Sequence, residues 1–355
     1  MAVAEQVQQT DQASQTNPAQ PPVSDTEPSE LAVWVSGLEK QYGDIKAVDG
    51  IDFTVSPGET FGFLGPNGAG KSTTISILCT LTDPTAGAAR VAGHDVVTER
   101  GAVRRNIGLV FQDTTLDLYL TAEQNLRFHA ELYGVPKDLV DPRIQQVLEM
   151  VGLWDRRKAR VDTYSGGMKR RLEIARGLLH SPRVLFLDEP TVGLDPQTRR
   201  SIWSYINELR SKEDITIFLT THYMDEAENC DRIAIMNEGK IVVLDTPDAL
   251  KASVGKDRVQ IETDDDAAAI AELQSRYDID AKVHDGAVTF AVVDAEQFVP
   301  RLFKELQTPI RSVNLSRPSL DDVFLSYTGL TISDAEASSG DRLRSHPMVA
   351  RRRNH

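Results

Sequence analysis

Gly65-Pro66-Asn67-Gly68-Ala69-Gly70-Lys71-Ser72-Thr73-Thr74 decides the fold. The stretch fills the pattern Gly-x-x-x-x-Gly-Lys-Ser, follows the apolar run Thr60-Phe61-Gly62-Phe63-Leu64 and precedes a helix-like run. Strand, glycine-rich loop and helix in that order make a cradle for nucleotide phosphates. The glycines let successive backbone N–H groups turn toward the β-phosphate, and a helix beginning near Lys71 adds its positive dipole end. In such a cradle Lys71 reaches the β- and γ-phosphates and Ser72 ligates Mg²⁺. A glycine-rich turn without a ligand is the alternative, and the strand and helix flanks count against it.

Outward from the loop, the pattern is that of a layered α/β core. Leu31-Ala32-Val33-Trp34-Val35 and Ile51-Asp52-Phe53-Thr54-Val55 alternate as half-buried strands do, so short antiparallel strands lead into the cradle. Residues 116–179 carry apolar side chains at three- and four-residue steps, as in Ile144, Val147, Leu148 and Val151, which predicts a helical insert. Val184-Leu185-Phe186-Leu187, Ile215-Thr216-Ile217-Phe218-Leu219 and Ile233-Ala234-Ile235-Met236 are apolar throughout, as strands covered on both faces are. These runs place a nucleotide-binding unit over residues 31–250. Past Lys251 the order strand, helix, strand, strand, helix, strand predicts a small ferredoxin-like α+β domain over 251–330, with Asp285-Gly286 as its hairpin turn.

The chain ends are different in kind. Residues 1–30 are rich in Gln, Pro, Ser, Thr and Glu and cannot offset their ordering entropy by burial, so a disordered tail is expected; residues 331–355 are polar and expected to be a second tail. Arg351-Arg352-Arg353 reads as solvated, with a lipid- or RNA-binding cluster as the alternative. The N-terminus lacks the basic start and apolar stretch of a secretory signal, and no run reaches the length of a membrane span. Any membrane function therefore needs another chain to make the crossing. A net charge of −14 and a pI near 5.0 speak against gripping nucleic acid, which requires a basic face. Cys79 and Cys230 fit no metal or redox spacing and read as core thiols in a reducing cytoplasm.

Two further motifs extend the nucleotide chemistry. The strand at 184–188 ends in Asp188-Glu189, at the carboxyl end where open α/β sheets bind ligands. Asp188 suits a Mg²⁺ role, and Glu189 suits orienting or deprotonating the water that attacks the γ-phosphate. Taken alone, an Asp-Glu pair there reads as an exposed strand end. Ser165-Gly166-Gly167 stands before a helix-like run and offers a hydroxyl and backbone N–H groups to a phosphate, although most such tripeptides are turns.

In this order the motifs resemble the nucleotide-binding subunit of ATP-binding-cassette transporters. The resemblance runs over residues 31–250: Tyr42 at the adenine-stacking position, residues 65–73 as the phosphate loop, Gln112, the signature at 165–168, Asp188-Glu189, Gly193-Leu194-Asp195 and His222. It implies that two copies sandwich two ATP molecules head to tail, with Ser165 and Gly167 of one copy on the γ-phosphate held by Lys71 of the other, so a homodimer completes both sites. Gln112 is implied to orient water or complete the Mg²⁺ shell, His222 to contact the γ-phosphate and Asp195 to belong to the loop following the Asp-Glu pair. The Tyr164–Met168 signature, the stretch Leu116-Asp117-Leu118-Tyr119-Leu120-Thr121 and the ending Arg317-Pro318-Ser319-Leu320-Asp321-Asp322-Val323-Phe324-Leu325 are similar to daunorubicin- and doxorubicin-resistance-type ATPases of bacterial exporters. Tyr164 and Met168 stand where the usual signature has Leu and Gln.

That likeness implies an ATPase at the cytoplasmic face of the membrane, serving a separate integral-membrane permease that exports a hydrophobic drug or lipid-like compound. ATP and Mg²⁺ are the implied cofactors, and no nucleic-acid partner is expected. The alternative is a soluble cassette protein acting on ribosomes or DNA. A third reading makes the C-terminal domain a ligand-responsive regulator. Asp321 and Asp322 read as a helix cap or solvated turn, with a contact to the permease or dimer mate as the alternative.

Overall fold

The apolar strands alternate between two layers. In the computed structural model, which describes residues 28–213, 215–284 and 287–329, Val184 and Phe186 face one core while Leu185 and Leu187 face another. Residues 1–27, 214 and 330–355 and the Asp285-Gly286 pair expected to form a hairpin turn lie outside the described residues, and the basic cluster at 351–353 with them. A turn at residues 28–30 precedes β1 (Val33–Tyr42), which pairs antiparallel with β2 (Ile45–Val55). Next come β3 (Thr60–Leu64), α1 (Lys71–Leu78), β4 (Ala86–Val91), β5 (His94–Asp95), α2 (Arg100–Asn106) and β6 (Ile107–Val110). Strands β2, β1, β4 and β5 form an antiparallel sheet in that order.

The expected helical insert is α3 (Ala122–Leu132), α4 (Lys137–Met150) and α5 (Gly166–Leu178). Thr121 caps α3 through a reciprocal capping box with Gln124, which is why that helix starts where it does. The chain then returns through β7 (Val184–Asp188), α6 (Pro196–Glu213), β8 (Thr216–Thr221), α7 (Met224–Ala227), β9 (Arg232–Asn237) and β10 (Lys240–Asp245). The main sheet runs β10-β9-β3-β8-β7-β6, parallel except for the β9–β10 edge pair. Between it and the antiparallel sheet, Phe53, Phe61, Phe63 and Phe218 pack with ring centroids 5.0–6.0 Å apart. On the other face lie the helices of the insert. Cys79 and Cys230 are buried thiols in these two cores, as their spacing suggested.

After α8 (Pro247–Val254), the C-terminal unit contains β11 (Asp257–Thr263), α9 (Asp266–Tyr277), β12 (Lys282–His284), β13 (Ala287–Val292), α10 (Ala295–Glu305) and β14 (Ile310–Ser316). Its sheet is antiparallel in the order β12-β13-β11-β14, the split β-α-β arrangement that the element order predicted. The last helix among the described residues, α11 (Leu320–Thr328), does not join that domain's core. Leu320, Val323 and Phe324 pack with Leu250 of α8 in the main helical core, so the small sheet hangs between two helices docked on the larger body. Asp322 accepts from Ser319 N and Oγ and caps α11, the bland role that the sequence allowed.

Candidate active site

The parallel strands β3, β7 and β8 end side by side, and their carboxyl ends carry the chemistry. Lys71 opens α1 directly after the glycine-rich loop, so the first-turn N–H groups of residues 71–73 have no intrahelical acceptors. Gly70 holds φ +108°, and a Cβ there would fall 2.3 Å from Ala47 O, so the cradle admits no side chain at this point. Lys71 Nζ donates to Gly65 O (2.7 Å) and Pro66 O (3.1 Å) and lies 3.8 Å from Glu189 Oε1.

Glu189 is the centre of the cluster. Gln112 Nε2 donates to its Oε2 at 3.2 Å, and His222 Nδ1 lies 3.5 Å from Oε1. Burial opposes its ionisation, but His222 and Lys71 outweigh that and hold its pKa below the usual carboxylate value. Burial likewise dominates at Lys71, whose pKa stays below the ordinary lysine value despite Glu189 and Asp188. Glu189 also adopts φ +46°, a strain of order 1–3 kcal/mol for a non-glycine residue. Its N–H is fixed by Thr220 Oγ1 (3.0 Å) and Thr220 O (3.2 Å).

Asp188 Oδ1 accepts from Ser72 Oγ at 3.1 Å and from Thr220 Oγ1 at 2.5 Å. Ser72, Asp188 and Gln112 are hard oxygen donors of the kind Mg²⁺ selects. The structure thus gathers Lys71, Ser72, Gln112, Asp188, Glu189 and His222 around one carboxylate pair, with Gly65, Pro66, Asn67, Gly68, Ala69 and Thr73 forming the adjoining loop and helix start.

Tyr42, Ser165 and Asp195 stand outside that cluster. Tyr42 is 50% exposed at the end of β1, with Lys40 Nζ 4.9 Å from its ring centroid. Ser165 caps α5 by accepting from Met168 N, and Gly166 begins that helix. Gly167 lies so close to α6 that a Cβ would meet Thr198 Cγ2 at 2.4 Å. Asp195 caps α6, accepting from Gln197 N, Thr198 N and Thr198 Oγ1.

Comparison with known proteins resolves what this arrangement belongs to. Residues 48–192 match the family described as ABC transporter, and residues 246–328 match the family described as ATP-binding protein DrrA1-3-like, C-terminal domain. The daunorubicin resistance ATP-binding protein DrrA3 of Streptomyces coeruleorubidus is 41% identical over 308 residues, 85% of this chain and 97% of that protein. This chain belongs to the DrrA-like family of ABC transporter ATP-binding proteins. Another similar cassette, the linearmycin resistance ATP-binding protein LnrL of Bacillus subtilis, is 36% identical over 84% of this chain and 98% of its own. Among solved structures, the dimeric post-hydrolysis MJ0796 cassette bound to ADP and Pi aligns with TM-score 0.55 and 26% identity, covering 60% of this chain and 98% of that one. The cassette cbiO1 from Clostridium perfringens, part of the cbiONQ complex, aligns with TM-score 0.59 and 28% identity over 70% and 96%. The cassette is an ABC ATPase, which couples ATP hydrolysis to transport.

Sequence reading missed several supporting residues of this cassette. Thr220 serves both Asp188 and Glu189, and Thr191, fully buried two residues past Glu189, donates to the buried Glu226 of α7. Arg170, inside the signature helix, is buried as well. That helix also carries Lys169, Arg171, Glu173 and Arg176, so nothing in its sequence singled out Arg170 for burial.

Proposed function

We propose that this chain is the ATP-hydrolysing subunit of a drug-exporting transporter, closing as a head-to-tail homodimer on two ATP molecules and driving a separate permease. The observation that carries the ATP chemistry is Glu189, ionised and ringed by Lys71, Gln112 and His222 beside the Ser72–Asp188 pair. Lys71 and the loop N–H groups bind the phosphates, Ser72, Asp188 and Gln112 would hold Mg²⁺, and Mg²⁺ would offset phosphate charge. Glu189 takes the proton of the attacking water, Gln112 orients that water and His222 contacts the γ-phosphate. Tyr42 stacks on adenine, while Ser165, Gly166, Gly167 and Asp195 act across the dimer. The similar proteins are named for resistance to daunorubicin, doxorubicin and linearmycin, which supports export of a hydrophobic or lipid-like compound.

No helix among the described residues is long and apolar enough to cross a membrane. The insert instead exposes Tyr119, Phe128 and Leu132 at 79%, 66% and 68%. Phe128 and Leu132, four residues apart on α3, share a face suited to an apolar partner, and we assign it to the permease. The test is purification of the tagged chain from detergent-solubilised membranes. A polytopic protein in stoichiometric amount is expected, and it should be lost with Phe128→Asp/Leu132→Asp while ATP binding persists. Recovery of the wild-type chain only in soluble or ribosomal fractions would overturn the transport reading.

A further inference from the structure

Arg170 uses every N–H donor that its guanidinium has. Nε donates to Pro190 O at 2.5 Å, Nη1 to Phe111 O at 2.5 Å and Glu173 Oε2 at 3.2 Å, and Nη2 to Asp188 O at 3.1 Å and Glu189 O at 3.2 Å. One of those carbonyls immediately precedes Gln112, and the other three belong to the strained turn that carries Glu189. Further along α5, Glu173 accepts from Thr115 N at 2.9 Å, and Arg176 donates to Thr115 O at 2.9 Å and Thr115 Oγ1 at 2.5 Å. Positions 170, 173 and 176 recur every three residues along one side of the helix, so α5 grips the segment that contains Gln112 at both ends. The same helix is capped by Ser165 and begins with Gly166 and Gly167.

We propose that Arg170 is a positioning residue that couples the two ATP sites of the dimer. This rests on the head-to-tail dimer under Proposed function. ATP held by the second copy pulls on the Ser165 end of α5. The helix moves as a rigid body, and Arg170 passes that displacement to the backbone on either side of its own chain's hydrolytic residues. Gln112 and Glu189 are then set by occupancy of the other site. Were Arg170 only the partner of Glu173 in a structural ion pair, its substitution would lower stability without touching cooperativity.

The experiment is the initial rate of hydrolysis against ATP concentration for the full chain, beside ATP-induced dimerisation of Glu189→Gln by size exclusion. Wild type is expected to give a Hill coefficient between about 1 and 2, the limit for two sites. Arg170→Lys keeps a charge for Glu173, but a compact ammonium with three donors cannot span four carbonyls. It should lower the Hill coefficient to about 1 and turnover by on the order of tenfold, with the dimer of the double variant Arg170→Lys/Glu189→Gln retained. Should the lysine variant fail to fold, Arg176→Gln at its partly exposed position releases Thr115 and is expected to reduce cooperativity in a folded protein. A non-cooperative wild type, or wild-type cooperativity in Arg170→Lys or, if that variant does not fold, in Arg176→Gln, overturns the coupling. Absence of any ATP-induced dimer in Glu189→Gln overturns instead the dimer reading on which it rests.

Discussion

Glu189 combines three demands in one residue: an ionised carboxylate, a buried side chain and a left-handed backbone. The backbone demand is met by Thr220 and Arg170, and the electrostatic one by His222 and Lys71. Removing only the charge separates binding from chemistry. Glu189→Gln should bind ATP with near-wild-type affinity and accumulate closed dimer while hydrolysis falls by about 10²-fold or more. Lys71→Ala should weaken nucleotide binding itself, and a titration with a fluorescent ATP analogue distinguishes the two. Lys71 and Glu189 were legible in the sequence because their signals are local: a loop pattern, and a carboxylate pair ending an apolar strand. Thr220 and Arg170 were not, because their partners lie 31 and 19 residues from them along the chain. Nothing in a short window marks an arginine as the holder of another segment's carbonyls.

Among the elements, the insert contains a titratable stack. His129 of α3 and His180 after α5 flank Tyr133, with centroids 4.5 and 4.2 Å from its ring. Burial, with Arg176 and His180 nearby, pulls the His129 pKa down to about 3, and burial lowers that of His180 as well. The fold therefore favours the neutral rings. As pH falls below about 6.5, the unfolded chain takes up protons that the folded insert refuses, so stability declines toward pH 3. The slope from His129 alone is at most about 1.4 kcal/mol per pH unit. Comparing melting temperatures at pH 7 and 5 should show a steeper loss for wild type than for His129→Phe; parallel losses would remove His129 as the cause. The insert was readable as helical from its periodicity. The short β4, β5 and β6 were not, because β6 is a four-residue edge strand whose position follows from its parallel pairing with β7.

At the scale of the whole molecule, two units share one fastening. The small sheet has its own core around Val259, Ile261, Val288 and Phe290, yet α8 and α11 on either side pack into the cassette. Phe324→Ala should therefore cost about 3–5 kcal/mol and appear as lost hydrogen-exchange protection in the cassette helices. Phe290→Ala should loosen the C-terminal sheet and leave the cassette protected; the reverse distribution would show that α11 belongs energetically to the sheet. The β-α-β-β-α-β order of this unit was legible from alternation and turn residues. The docking of α11 was not, since an amphipathic helix declares that it needs a partner without saying which one.

That fastening has a consequence for biosynthesis. Leu320 follows Leu250 by 70 positions, and at roughly 5–20 residues per second a ribosome needs roughly 4–14 s to cover them. Throughout that interval the apolar surface awaiting Leu320, Val323 and Phe324 has no cover, although every motif for ATP has already been translated. The nascent enzyme thus holds its complete catalytic sequence before α11 can be added to its core.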